Sequence, residues 1–333
     1  MELFLFAPLL AFAVTLIMLW LLLRHRIAQM IVDRPNERSL HRVPTPRVGG
    51  IALMAGIAAG WIMAGSAITW PLFAATGLLI ALSLVDDWHG LPIVIRLAVQ
   101  ALVAAGYLLF EVPELKALAA LLVTWLAMLW MINLYNFMDG SDGLAGGMAL
   151  FGFGAYGLAA WLGGNQTLAL LSLCVSAAAV GFLIFNFHPA KVFMGDAGSI
   201  PLGFLAAALG LAGIVQGVWP MWFPTAVFAP FIVDATVTLF RRLMQGEKIW
   251  RAHRTHYYQR LVQMGWGHRG TALVEYALMG LTGMSAVLAV SQPVRTQGVM
   301  LATLGLVYFI LMIWIDRSWA NFVKRGSGGN ACE

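Results

Sequence analysis

The chain has 333 residues, 61% hydrophobic and 11% charged, where an ordinary soluble domain carries about a quarter charged residues. A chain this apolar has no water-soluble core able to hide its hydrophobic surface, so it reads as an integral membrane protein. The formal charge is +5, and the two cysteines, Cys174 and Cys332, give neither a disulfide framework nor metal-ligand spacing.

Apolar runs long enough to cross about 30 Å of hydrocarbon fall near 3–23, 49–65, 70–86, 92–110, 115–134, 143–162, 166–187, 199–217, 219–240, 270–291 and 297–316. The sequence therefore predicts an all-α polytopic membrane protein with about eleven transmembrane helices, or ten if the pair around Pro220 is miscounted. The first run lacks a basic start and a small-residue cleavage site and reads as a retained span. Eighteen of the twenty Lys and Arg residues fall on one side: in 24–48, in 241–269, in the C-terminal tail, and at Arg96 and Lys191. By the positive-inside rule that side is cytoplasmic, with a periplasmic N-terminus and a cytoplasmic C-terminus. The basic excess is thus topology, and no nucleic-acid partner is predicted. Residues 1–325 read as a single integral-membrane domain, and the Gly/Ser-rich residues 326–333 as a disordered tail.

Polar chemistry clusters in the cytoplasmic segments. The first, Asp33-Arg-Pro-Asn-Glu-Arg38-Ser-Leu-His41 through Arg47-Val-Gly-Gly50, offers Arg and His with rigid prolines before a glycine-started span. Asp86-Asp87 ends the third span, where two carboxylates oppose the helix dipole and persist with a cation or proton nearby; the bland reading is a topological stop. Arg96, at the start of the next span, is a phosphate contact or a snorkelling residue.

The stretch Asn133-Leu-Tyr-Asn136-Phe-Met-Asp139-Gly-Ser-Asp142-Gly brings two carboxamides and two carboxylates at spacings of three. Helical, they share one drifting face; looped, the glycine turns bring the carboxylates together. Oxygen-only ligands of this kind suit Mg²⁺ or Mn²⁺ rather than zinc. A second polar hairpin runs from Asn186 through Lys191, Phe193 and Asp196 to Ser199. There a glycine-flanked carboxylate can face a metal while backbone N–H groups approach a phosphate, and Phe193 stacks on a base or anchors at the interface.

Asp234 lies inside the ninth span, on one face with Thr238 and Arg241, and reads as ion-paired with an arginine or as a functional site. The loop Gly246–Arg260, with His253, Arg254 and His256, is an interfacial amphipathic helix or a lid over a bound diphosphate.

Assembled, these motifs resemble the polyprenyl-phosphate N-acetylhexosamine-1-phosphate transferase superfamily. They are R-x-x-H…P-x-P-R-x-G-G (Arg38 to Gly50), Asp86-Asp87 with Arg96, N-x-x-N-x-x-D-G-x-D-G-L (Asn133 to Leu144) and V-F-M-G-D-x-G-S (Val192 to Ser199), in order over almost the whole chain. The resemblance implies transfer of a sugar 1-phosphate from a UDP-N-acetylhexosamine to undecaprenyl phosphate, with Mg²⁺ and release of UMP, at the cytoplasmic face of the bacterial inner membrane. It assigns catalysis to Asp86, Asp87, Asp139, Asp142 and His256, and the metal to Asp196 with Asn136. Substrate contacts go to Arg47, Arg96, Asn133, Asn136, Asn186, Lys191, Phe193, His253 and Arg254. The last loop departs from the pattern. The pentapeptide transferase carries three consecutive histidines and other relatives a His-x-His-His, but here the loop reads His253-Arg-Thr-His256. This favours the O-antigen-initiating branch and leaves the roles of His253 and Arg254 open. Other partners are membrane lipids, with a homodimer as one option. The rival readings are a carrier or flippase for an anionic lipid or nucleotide-sugar, and a silent scaffold. A carrier needs polar residues deep in several spans, and Asp234 is nearly alone there.

Overall fold

The computed structural model describes residues 2–25, 32–33, 40, 43–65, 69–112, 117–248 and 253–329. Arg38 and His41 of the first cytoplasmic motif, and Cys332, lie outside these residues. The helices in order are α1 (Glu2–Arg24), α2 (Gly49–Ala64), α3 (Trp70–His89), α4 (Ile93–Glu111), α5 (Leu118–Phe137), α6 (Leu144–Leu162) and α7 (Gln166–Asn186). Then come α8 (Asp196–Val215), α9 (Trp222–Val227), α10 (Ala229–Met244), α11 (Tyr257–Leu261), α12 (Gly267–Val290) and α13 (Val294–Gly329). Two short strands, β1 (Val32–Asp33) and β2 (Thr45–Pro46), pair antiparallel.

The all-α polytopic class holds, and nine helices among the described residues are long and apolar enough to span a bilayer. Two of the eleven runs take another form. The run at 49–65 folds as the 16-residue α2. The run at 219–240 breaks at Phe228 into α9 and α10. Pro230 causes the break: it has no N–H to offer the Ala226 carbonyl, so the ladder cannot pass through it. At the other end α13 continues to Gly329, into the stretch that composition alone leaves unstructured.

Helices α6, α7 and α8 form the centre. α6 packs along α7, α1 lies against α2 and α7, and α3 and α5 flank α8. The outer helices turn large apolar side chains outward, Leu102, Leu109 and Phe110 on α4 and Leu306, Phe309 and Ile310 on α13. A continuous apolar exterior of this kind faces acyl chains, while backbone polar groups are satisfied within each helix.

Two backbone features place the polar loops at one end. Gly90 takes a left-handed conformation (φ 64°) and donates its N–H to the Asp86 carbonyl, ending α3 directly below Asp86. The α7–α8 loop lies alongside the segment that leads into α2. Phe193 donates to Pro46 O at 2.8 Å, Gly49 to Phe193 O at 2.9 Å and Gly50 to Met194 O at 2.8 Å. A Cβ on Gly50 would collide with the Gly198 backbone, so only a glycine pair lets α2 and α8 start side by side.

Candidate active site

The loops at this end enclose a cavity of about 320 Å³. α5 ends at Phe137, so Asn133 and Asn136 stand on its last turns, whereas Asp139 and Asp142 belong to the loop before α6. This settles the helix-or-loop alternative as half of each.

Asp196 opens α8 just after Gly195, whose φ of 69° is open to glycine without strain. A carboxylate at that position meets the positive end of the helix dipole. Arg96 reaches Asp196 Oδ2 at 3.4 Å and Asp86 Oδ2 at 2.7 Å, joining α3, α4 and α8. Asp86 Oδ1 accepts from Leu91 N at 2.7 Å. Asp87 lies within electrostatic reach of Asp196 and Arg47. Asn136 bonds the Asp196 side chain, and its Oδ1 accepts from Ser199 Oγ at 3.1 Å.

Asp139 lines the cavity and accepts the Gly195 N–H. Its recessed position, and next the charge of Asp196, push its carboxyl up to about 8, although Arg47 and the Gly195 N–H pull the other way. Arg47 lines the cavity and donates to Asp33 Oδ2 at 2.9 Å.

Asp142 also lines the cavity and is already engaged. Its Oδ2 accepts from His188 Nδ1 at 2.7 Å and from Ala190 N at 3.2 Å. Asn186 ties two loops together, accepting from Gly143 N at 3.0 Å and donating to Val192 O at 2.9 Å. Phe193 closes one wall beside Asp196, and His253 another. Burial, then the neighbouring His256 and Arg242, lowers His253 to about 4, so its ring is neutral at pH 7.

The residues singled out in the sequence thus divide. Asp139, Asp142, Asp196, Asn136, Asn186, Arg47, Phe193 and His253 share the cavity. Asp86, Asp87 and Arg96 back Asp196 from outside it. Asn133 faces elsewhere, donating to Gln100 Oε1 at 3.0 Å and Leu129 O at 2.8 Å. Lys191 and Arg254 are exposed beyond the cavity lining, and His256 is buried behind it. Asp234 meets His256, not an arginine; Arg241 goes to Asp316 at 2.6 Å.

The cavity also recruits Asp33, Ser141, Tyr258, Gln259 and His268. His268 is the one that no motif announces. Its Nδ1 meets Ser141 Oγ at 2.9 Å and Asp142 N at 3.4 Å, so Nδ1 accepts and Nε2–H faces Leu40 O at 3.3 Å. The only hint in the sequence is its glycine-flanked setting, Gly265-Trp-Gly267-His-Arg-Gly270.

A divalent cation fits this donor set. Among the described residues no three His, Cys, Asp or Glu side chains group closely enough to cage a metal by themselves. Mg²⁺ needs no such cage, since it keeps waters and takes one or two carboxylates plus substrate phosphates. Asp196 and Asn136 supply hard oxygens, and the Asp139 carboxyl lies in the same cavity.

A multi-helix membrane scaffold with carboxylates, carboxamides and arginine converging at one end defines the class, and comparison with known proteins agrees. Residues 69–214 match the family model described as Glycosyl transferase family 4. A probable undecaprenyl-phosphate N-acetylglucosaminyl 1-phosphate transferase of Bacillus subtilis (strain 168) is 33% identical over 85% of this chain and 81% of its own. An undecaprenyl-phosphate alpha-N-acetylglucosaminyl 1-phosphate transferase of Yersinia pestis is 30% identical over 89% and 87%. A decaprenyl-phosphate N-acetylglucosaminephosphotransferase of Mycolicibacterium smegmatis is 31% identical over 77% and 74%. The chain belongs to the polyprenyl-phosphate N-acetylhexosamine-1-phosphate transferase family.

Proposed function

We propose that the protein transfers N-acetylglucosamine 1-phosphate, or a close N-acetylhexosamine 1-phosphate, from the UDP-sugar to undecaprenyl phosphate, releasing UMP. The names of its relatives support the sugar and the lipid. The observation that carries the reading is the meeting of Asp139, Asn136 and Asp196 with Arg47 around one cavity beside Phe193. The active end lies at the cytoplasmic face of the inner membrane, where the basic segments collect. The product then serves as the lipid-linked starter of O-antigen or a related surface polysaccharide.

Phosphoryl transfer needs charge neutralisation and in-line positioning more than covalent help. Mg²⁺ held by Asp196 and Asn136 would offset the charge of the diphosphate. Arg47 adds positive charge from the entry segment, and Phe193 offers a face for the uracil ring. Arg96 holds Asp196 and Asp86 in place from behind. Leu91 N–H and Arg96 each hold one Asp86 oxygen, so Asp86 is fixed in place and orients its surroundings. The lipid phosphate, largely ionised at pH 7, needs little deprotonation.

The test is UMP release by purified protein from a panel of UDP-N-acetylhexosamines with undecaprenyl phosphate in detergent. Asp196→Asn should abolish release while the protein stays folded, and chelation should stop the wild type until Mg²⁺ is restored. Full turnover by Asp196→Asn would sink the metal assignment.

A further inference from the structure

The Asp234 carboxylate, on α10 and outside the cavity lining, gathers one donor from its own helix and three from a segment more than twenty residues away. Its Oδ1 accepts from Thr238 Oγ1 at 3.1 Å, His256 Nδ1 at 3.0 Å and Tyr257 N at 3.0 Å, and its Oδ2 from Tyr258 N at 3.0 Å. Asp234, Thr238, His256, Tyr257 and Tyr258 are all buried. A carboxylate accepts and has no proton to give, so the His256 proton facing Asp234 sits on Nδ1.

α11 begins a helical run that continues through a π turn at Val262–Trp266 into α12, and the amides of its first turn have no partners within the helix. Asp234 takes two of them, and Gln259 Oε1 takes the His256 amide at 3.1 Å. From α11 the path leads into the site. Tyr258 Oη donates to Phe137 O at 3.3 Å, one residue from Asn136, and Tyr258, Gln259 and His253 line the cavity. Arg241 on α10 and Arg260 on α11 are committed elsewhere: both bind Asp316.

We infer that Asp234 is a positioning residue, which acts through His256 and α11 to hold the His253–Gln259 wall against the nucleotide-sugar. His256 then serves as a tether whose working atom is Nδ1. The inference rests on the transferase reading of the same cavity.

Two substitutions at His256 separate this role from catalysis, because an asparagine amide can place its N–H where Nδ1–H stands and an alanine cannot. Losing a hydrogen bond to a charged group corresponds to about ten- to a hundredfold. His256→Ala should therefore raise KM for UDP-N-acetylglucosamine by about that factor and leave KM for undecaprenyl phosphate near the wild-type value. His256→Asn should restore the nucleotide-sugar KM to near wild type. Asp234→Asn should behave like His256→Ala, since its amide N–H must face another N–H whichever way it turns. Combining Asp234→Asn with His256→Ala should add little beyond either alone.

The measurements use the full chain in detergent, with UDP-N-acetylglucosamine and undecaprenyl phosphate varied in turn and thermal midpoints recorded. If Asp234→Asn does not fold, the His256 pair decides. His256→Asn as impaired as His256→Ala overturns the tether, and so does an equal rise in both KM values. A wild type that releases no UMP overturns the transferase reading and this inference with it; a wild type that turns over alongside unaffected variants overturns the inference alone.

Discussion

Arg96 Nη1 lies 2.7 Å from Asp86 Oδ2 and 3.4 Å from Asp196 Oδ2, so one guanidinium serves carboxylates from two different helices. Removing it leaves two neighbouring anions beside Asp87 and Asp139 with less positive charge to balance them. Arg96→Ala should therefore lower kcat/KM by at least about a hundredfold, in line with about 1.5–3 kcal/mol for each charge-assisted bond lost. Arg96→Lys keeps the charge but not the planar fork and should fall between. Kinetics of the three proteins at one Mg²⁺ concentration checks the order. Arg96→Ala with wild-type kcat/KM would remove Arg96 from the site.

The raised Asp139 carboxyl gives a signed pH dependence. In the metal-free protein it stays protonated from its ordinary 3.8 up to about 8, while the unfolded chain loses that proton near 3.8. The folded state binds more protons across this window, so stability from this group is complete below pH 3.8 and is lost as pH rises through about 8. Mg²⁺ favours the ionised form, so its binding should release a proton and strengthen as pH rises toward 8. Calorimetry of Mg²⁺ binding in two buffers of different ionisation enthalpy reads the proton directly. Proton-neutral binding at pH 7 would separate Asp139 from the cation.

How much of this was legible in the sequence depended on whether neighbours along the chain were also neighbours in space. Asn136, Asp139 and Asp196 carry their meaning in local spacing, and they do share the cavity. The break at Phe228 was written in Pro230, but hydropathy averages over it. Asp234 shows the limit most clearly. Helical periodicity set it on a face with Arg241, yet α13 brings Asp316 to that arginine and the loop after α10 brings His256 to Asp234. His268 and His188 were out of reach for the same reason. Their stacked rings, 5.5 Å apart, flank Asp142 from segments far apart in sequence, and a lone histidine has no periodic signature.

Two glycines test whether the site and the scaffold can be disturbed separately. A Cβ on Gly140 would collide with the hydroxyl of the buried Tyr258, which bonds Phe137 O on the cavity wall. Gly140→Ala should therefore displace Tyr258 from Phe137 O and impair turnover by about tenfold, a larger effect on activity than on the thermal midpoint. A Cβ on Gly50 instead meets the Gly198 backbone, and one on Gly198 would lie 2.7 Å from Gly50 Cα. Neither helix start can yield without moving Asp196, which opens α8. Gly50→Ala should cost about 1–3 kcal/mol of overpacking and lower the thermal midpoint and the activity together. Turnover and melting of the two variants, side by side in the same detergent, give the comparison. A Gly50→Ala protein that melts and turns over like wild type would mean that α2 and α8 do not start in contact, and the placing of Asp196 would fall with that packing.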